Sequence, residues 1–287
     1  DRGRGDVLAA LDAVRLLTVL DAGDPSWRRY AAELLAETGR LSAAESIYRQ
    51  AVSISPADEQ SWLGLGNVLA SSGRVRSAAS AYETAWILGE RTATLAEGIA
   101  ALEQRDGDLA SSVRWLEHAE TLESDASGRR ALRRARLLAG GGREADALRA
   151  AEAVAASAPA DVAADARLLC ATLTLRAHRL DDALAHLDAA RAAGRTDAEL
   201  EESAGRTLFV REDYAAAAER LTRASRGATG DDPELLELLA SARIRSGDLP
   251  GAREAIVAYI ELRSVDDAAR TLVADWRRAK ARGASGR

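Results

Sequence analysis

The chain has 287 residues, 47% of them apolar, and a formal net charge of −6 with a sequence pI near 5.3. Length and apolar share suffice for one large core or a string of small ones, and the acidic balance excludes a global basic field for nucleic acid. Only 4% of residues are aromatic and Cys170 is the single cysteine, which excludes an internal disulfide and a multi-cysteine metal site.

Alanine supplies much of the apolar count, and alanine favours helices that pack closely, so an all-helical chain is expected. Almost every cation is arginine, Lys280 being the one lysine. No run of 18 apolar residues is present, so no membrane span is expected. The chain starts at Asp1 and contains no methionine, which fits a trimmed chain, a processed mature form or part of something longer. A cytoplasmic location is expected, with a processed extracytoplasmic form as the alternative.

In chain order, the first predicted element is a helix over Val7–Leu20, "VLAALDAVRLLTVL", polar only at Asp12, Arg15 and Thr18. A terminal cap needs a polar outside, so this segment (1–24) reads as part of an upstream repeat or as a partner-covered helix. A repeating pattern follows: Gly-Arg/Asp-apolar, then alanine, then an aromatic residue or leucine. It begins at Gly39, Gly73, Gly107, Gly142, His178, Glu212 and Gly247, at separations of 34, 34, 35, 36, 34 and 35 residues. Each anchor is preceded by apolar residues at helical spacing, such as Trp62, Leu65 and Leu69, and followed by a second set, such as Ala78, Tyr82 and Ala85. Each copy is therefore helix, tight turn, helix, with a turn glycine free to adopt the left-handed conformation. Such units bury their faces only by stacking. Their approximate limits are 25–58, 59–92, 93–127, 128–163, 164–197, 198–232 and 233–264. The helix from about Val265 to Ala281 has Asp266 and Asp267 at its start and basic residues in its last turn, as a capping helix should. The tail "RGASGR" is expected to be disordered.

The pattern resembles the tetratricopeptide repeat. Trp62, Leu65, Gly66, Gly73, Ala78, Tyr82 and Ala85 match its signature, as do Ala32, Gly39, Ala44, Tyr48, Ala51 and Pro56 in the preceding copy. Later copies drift: His178 and Glu212 replace the turn glycine, and Arg134 stands where an apolar residue is expected. The resemblance covers about Pro25 to Ser264. It implies an all-α, right-handed superhelical solenoid of about seven repeats with an extra N-terminal helix and a C-terminal cap.

It also implies a concave groove, lined by the first helix of each repeat, that holds a peptide or partner helix. The matching positions are Arg29 and Glu33, Leu63 and Asn67, Glu97 and Ala101, Leu132 and Arg136, Leu168 and Thr172, Glu202 and Arg206, and Glu237 and Ser241. Asn67 resembles the asparagine with which family members clamp a ligand's main chain, since an amide both donates and accepts. Capture of a C-terminal carboxylate would need further basic groove residues, where Glu33, Gly64 and Gly98 stand instead.

Other constellations carry less. Gly64 and Gly66 lack the strand and third glycine of a dinucleotide loop, so Gly66 is read as a close-packing residue. The turn "AGGGRE" at 139–144 is read as a turn with one extra residue and not as an anion cradle. His118, His178 and His186 form no ligand set, no nucleophile has a supporting base, and Cys170 falls on an apolar helix face. No catalysis, cofactor or metal is expected. Five arginines, Arg129, Arg130, Arg133, Arg134 and Arg136, crowd one helix. They either bind an acidic or phosphate-bearing partner through Arg133 and Arg136, or form a solvated face paired with the acidic run Glu117–Asp125. The reading that results is a non-enzymatic scaffold for a protein or peptide partner, without nucleic acid, with possible self-association or an upstream domain at the apolar first helix. Two alternatives are a sensory or regulatory domain of a larger signalling or transcription-regulating protein, and an extracytoplasmic scaffold for envelope or polysaccharide-export assembly.

Overall fold

The computed structural model describes residues 12, 16, 19, 24–227 and 232–285. Its helices form seven pairs and a final single helix: α1 (Pro25–Glu37) and α2 (Leu41–Ile54), α3 (Glu59–Ser71) and α4 (Val75–Leu88), α5 (Ala93–Asp106) and α6 (Leu109–Leu122), α7 (Arg129–Gly140) and α8 (Glu144–Ser157), α9 (Ala160–Arg176) and α10 (Leu180–Ala192), α11 (Ala198–Val210) and α12 (Tyr214–Gly227), α13 (Pro233–Ser246) and α14 (Leu249–Arg263), and α15 (Asp267–Ser285). No strand occurs among the described residues. Asp12, Leu16 and Val19 are helical; the rest of the expected helix Val7–Leu20 lies outside the described residues. The chain divides into two units, 1–125 with 140–143, and 126–139 with 144–287.

The seven turn anchors share one backbone state. Gly39, Gly73, Gly107, Gly142 and Gly247 have φ between 75° and 92°, and His178 and Glu212, the two departures from glycine, have φ of 57° and 67°. At five of these turns, those at Gly39, Gly73, Gly107, His178 and Glu212, the carbonyls left over at the helix end are satisfied in the same way. In the second pair Gly73 N donates to Ala70 O at 3.0 Å and Arg74 N to Leu69 O at 3.0 Å; in the sixth, Glu212 N donates to Phe209 O and Asp213 N to Leu208 O, both at 3.0 Å. The turn geometry is thus held by hydrogen bonds even where a side chain makes it costly. Replacing Glu212 by glycine should stabilise the second unit by about 0.5–1 kcal/mol, because the relief of left-handed strain outweighs the extra freedom of the unfolded chain. A thermal melt checks this: a lower melting temperature for Glu212→Gly would contradict it.

Close approach is the other use of glycine. A Cβ on Gly66 would stand 2.3 Å from the Tyr82 ring, one on Gly64 2.3 Å from the Tyr48 ring, and one on Gly205 2.6 Å from Leu221 Cγ. Gly66 and Gly205 each precede their turn anchor by seven residues, so the contact recurs at one repeat position. In the first unit Leu65, Leu69, Tyr82 and Ile99 share one apolar cluster, with Tyr48 at its edge. In the second unit Leu132, Val154, Val162 and Ala166 join α7, α8 and α9, and Leu221, Leu235, Leu239, Ile256 and Leu272 carry a second cluster through to α15. Trp276 packs on that cluster and donates from Nε1 to Leu249 O at 2.9 Å. The cap runs on through Ser285, past the Ala281 limit expected from the sequence and into four residues of the tail read as disordered.

A polar ladder crosses from repeat to repeat outside these cores. Arg29 reaches Asp58 at 3.1 Å and Arg76 reaches Asp106 at 2.9 Å in the first unit; Arg129 reaches Asp161 at 3.3 Å and Arg211 reaches Asp181 at 2.9 Å in the second. Each link spans about one repeat of sequence, so each ties neighbours and none ties distant parts.

Candidate partner-binding site

The first-helix positions are placed four residues apart, which sets both members of each set on one helix face. In the first unit α1, α3 and α5 carry them. Arg29 is half-buried, and its Nη1 donates to both carboxylate oxygens of Asp58, at 3.1 and 3.2 Å, with Glu33 at 3.9 Å. Its charge is engaged by the ladder, and Glu33 stays exposed beside it. Leu63 is half-buried against the apolar cluster, and Glu97 is half-buried on α5.

Asn67 is exposed, and its surroundings explain its orientation. Gly66 lets the Tyr82 ring lie against α3, and the ring's hydroxyl donates to Asn67 Oδ1 at 2.6 Å. An amide expected to donate and accept equally thus has its oxygen engaged, and its Nδ2 makes no hydrogen bond among the described residues. Burial raises the Tyr82 hydroxyl above its ordinary pKa and pushes that of Tyr48 up to about 12, so both are neutral donors at physiological pH.

In the second unit α7, α9, α11 and α13 carry the candidate positions. Leu132 is 4% exposed and packs with Val154, Val162 and Ala166. This corrects the expectation that it lines a groove: α7 turns that residue into the core beneath α8 and α9. On the same helix Arg136 is exposed and lies 3.4 Å from Asp165, while Arg133 is half-buried. Arg129 is held by Asp161, so α9 supplies acids to this arginine-rich helix. On α9, α11 and α13 the candidate positions are half-buried or exposed. Leu168 is half-buried, Thr172 is exposed with its hydroxyl donating to Leu168 O at 3.0 Å, and Arg206 is exposed with Nε donating to Glu202 at 2.7 Å. Glu237 and Ser241 are half-buried on α13.

The sequence reading missed Glu201. It precedes Gly205 by four residues, the place that Trp62 holds before Gly66, yet it is 3% exposed. Three arginines surround it: Arg191 Nε at 3.3 Å from Oε1, with Arg223 Nε at 2.9 Å and Arg220 Nη1 at 3.5 Å from Oε2. Arg220 also pairs with Asp188. An acid at the aromatic position of a repeat, with arginines ten residues before and about twenty after, was the signal available. Cys170, by contrast, is where the sequence put it: fully buried with Ala135 and Ala151, its thiol pushed up to about 12 by burial.

Comparison with known proteins points one way. A family model described as Tetratricopeptide repeat matches residues 2–59 and 203–269. No curated protein matches the chain. Among solved structures, a chain of the Naa15/Naa10 structure bound to HypK-THB aligns with 95% of this chain and 44% of its own length, with a TM-score of 0.66 and 16% identity. MamA residues 41-end from Desulfovibrio magneticus RS-1 aligns with 62% of this chain and 98% of its own length, with a TM-score of 0.53 and 21% identity.

Proposed function

Because this chain is built of tetratricopeptide repeats, we propose that it is a non-catalytic scaffold that grips a peptide or protein partner along the first helices of its repeats. The observation that carries the reading is Asn67, exposed on α3 with its carbonyl held by Tyr82 and its N–H groups left without a partner among the described residues. A buried residue with the same bond would be structural; an exposed, oriented amide is a preformed donor for a ligand's main-chain carbonyl. In the first unit Leu63 is the apolar position beside Asn67; in the second Thr172, Arg206 and Glu202 supply polar positions and Leu168 an apolar one, so a mixed polar and aliphatic segment fits the first helices of either unit. Arg29 and Leu132 contribute through the ladder and the core instead. The structure of Naa15/Naa10 bound to HypK-THB gives an instance of this fold within a protein assembly.

The test is to select peptides from a random display library on the intact protein and measure their affinity by calorimetry. Asn67→Ala is expected to weaken binding about tenfold, the worth of one well-placed hydrogen bond. Selected peptides that bind Asn67→Ala and Arg206→Glu as tightly as the unaltered protein would refute the groove reading.

A further inference from the structure

A cavity near the end of the second unit lies on another face from the candidate positions of α13. It has a volume of about 520 Å³ and is lined by one face of α12, the last turn of α13 and Asp248 at the start of α14. Arg243, its contribution from α13, stands two residues after Ser241, about 200° round the helix, so it projects to the other side from the candidate groove residues. The charged lining is Glu219, Arg223, Arg226, Arg243 and Asp248, and Ala215 and Ala218 form an apolar floor.

Most of these groups are already committed. Arg243 donates to Gly251 O at 2.7 Å and to Thr222 Oγ1 at 3.1 Å, and its Nε lies 3.7 Å from Asp248. Arg223 spends its Nε on buried Glu201 and lines the cavity. Arg226 is exposed, lies one turn further along the same helix face and makes no ion pair among the described residues. Among the described residues of the wall and its buried backing, Arg191, Arg220, Arg223, Arg226 and Arg243 meet Asp188, Glu201, Glu219 and Asp248, so one positive charge is left over there. Glu201 cannot release Arg223, because it has no access to solvent cations and is shared by three guanidinium groups.

We infer that this cavity is a second recognition site, independent of the groove, for a single carboxylate borne on an acidic peptide segment. One uncompensated charge matches one carboxylate; a phosphate dianion would need a second. Arg223 and Arg226 present planar donors suited to a carboxylate. The cavity exceeds the volume of a carboxyl group several times over and falls in the range that houses ligands, so the methylenes and neighbouring backbone of a glutamate-bearing segment fit over Ala215 and Ala218. Glu219, exposed and without an ion pair, accepts from that segment's N–H groups and disfavours a second acidic residue beside the first.

The probes are the capped tripeptide acetyl-Ala-Glu-Ala-amide, its glutamine counterpart and inorganic phosphate, titrated into the full nitrogen-15-labelled chain while the arginine Nε–H resonances are followed. Expected are saturable shifts at Arg223 and Arg226 with the glutamate probe, an affinity at least about tenfold above that of the glutamine probe, and a loss of about tenfold in Arg226→Gln. Arg226 makes no contact that the fold needs, so this variant folds. Equal response to glutamate and glutamine, or an Arg226→Gln affinity equal to that of the unaltered chain, would overturn the inference. Tighter saturation by phosphate than by the glutamate probe would overturn it in favour of an inorganic anion site. Asn67→Ala should leave the response unchanged; a loss there would show that the cavity is not independent of the groove.

Discussion

Glu201→Gln should lower the stability of the second unit by about 3 kcal/mol and its melting temperature by on the order of 10 °C. Glutamine keeps the size of the side chain but removes the one buried negative charge that Arg191, Arg220 and Arg223 share. Taking away one partner of a buried ionic cluster costs about 3–5 kcal/mol, since the remaining charges keep their desolvation penalty and lose their compensation. Each kcal/mol corresponds to about 2–4 °C for a unit of this size. Here the arginines are only partly buried, with Asp188 still holding Arg220, so the lower end of the range applies. Because repeats couple mainly to their neighbours, amide exchange should accelerate in α10, α11 and α12 and stay unchanged in α1 to α4. A loss below about 1 kcal/mol would put Glu201 in the class of solvated surface pairs.

The glycine pair predicts an equally direct contrast. Gly66→Ala should cost about 2–3 kcal/mol, because its Cβ would enter the Tyr82 ring at 2.3 Å and the ring is fixed by its bond to Asn67. Gly73→Ala should cost about 1 kcal/mol, since its left-handed φ of 75° is the whole of the penalty and nothing lies within 4 Å of the added methyl. Combining Gly66→Ala with Tyr82→Leu should recover part of the first loss, as expected for residues in contact. Chemical denaturation followed by far-ultraviolet circular dichroism measures all three; equal losses for Gly66→Ala and Gly73→Ala would remove the steric argument.

These two cases also show which features can be read from sequence. The turn anchors, the helix pairs and the packing role of Gly66 depend on residues a few positions apart, so a 34–36-residue period exposes them. His178 and Glu212 kept their place in the period, and the structure finds them in the same left-handed state as the glycines they replace. The fates of Arg29, Leu132 and Asn67 depend on partners in a neighbouring helix: Asp58, the Val154–Val162 cluster and the Tyr82 hydroxyl. A position carried over from a family motif specifies a helix face, and it does not say whether that face is covered or its charge already paired. Leu132 is buried for that reason and Arg29 is paired with Asp58, while Thr172 and Arg206 stay exposed. The ladder itself had a trace in the sequence, arginine and aspartate recurring about thirty residues apart, but that pattern acquires meaning only once the repeats are stacked. Glu201 was least legible of all, because an acid at an apolar position signals burial only when its arginines are known to converge.

The central claim is that partners are held along the first helices. It is tested most directly by placing the photo-crosslinking residue p-benzoylphenylalanine at Leu63, at Thr172 and at Ile87, which is 74% exposed on a second helix. Each protein is irradiated with the tightest peptide selected on the unaltered chain, and the adducts are mapped by mass spectrometry. The account predicts peptide adducts at position 63 or at position 172, on the first helices, and none at 87. Adducts at 87 with none at 63 and 172 would contradict it.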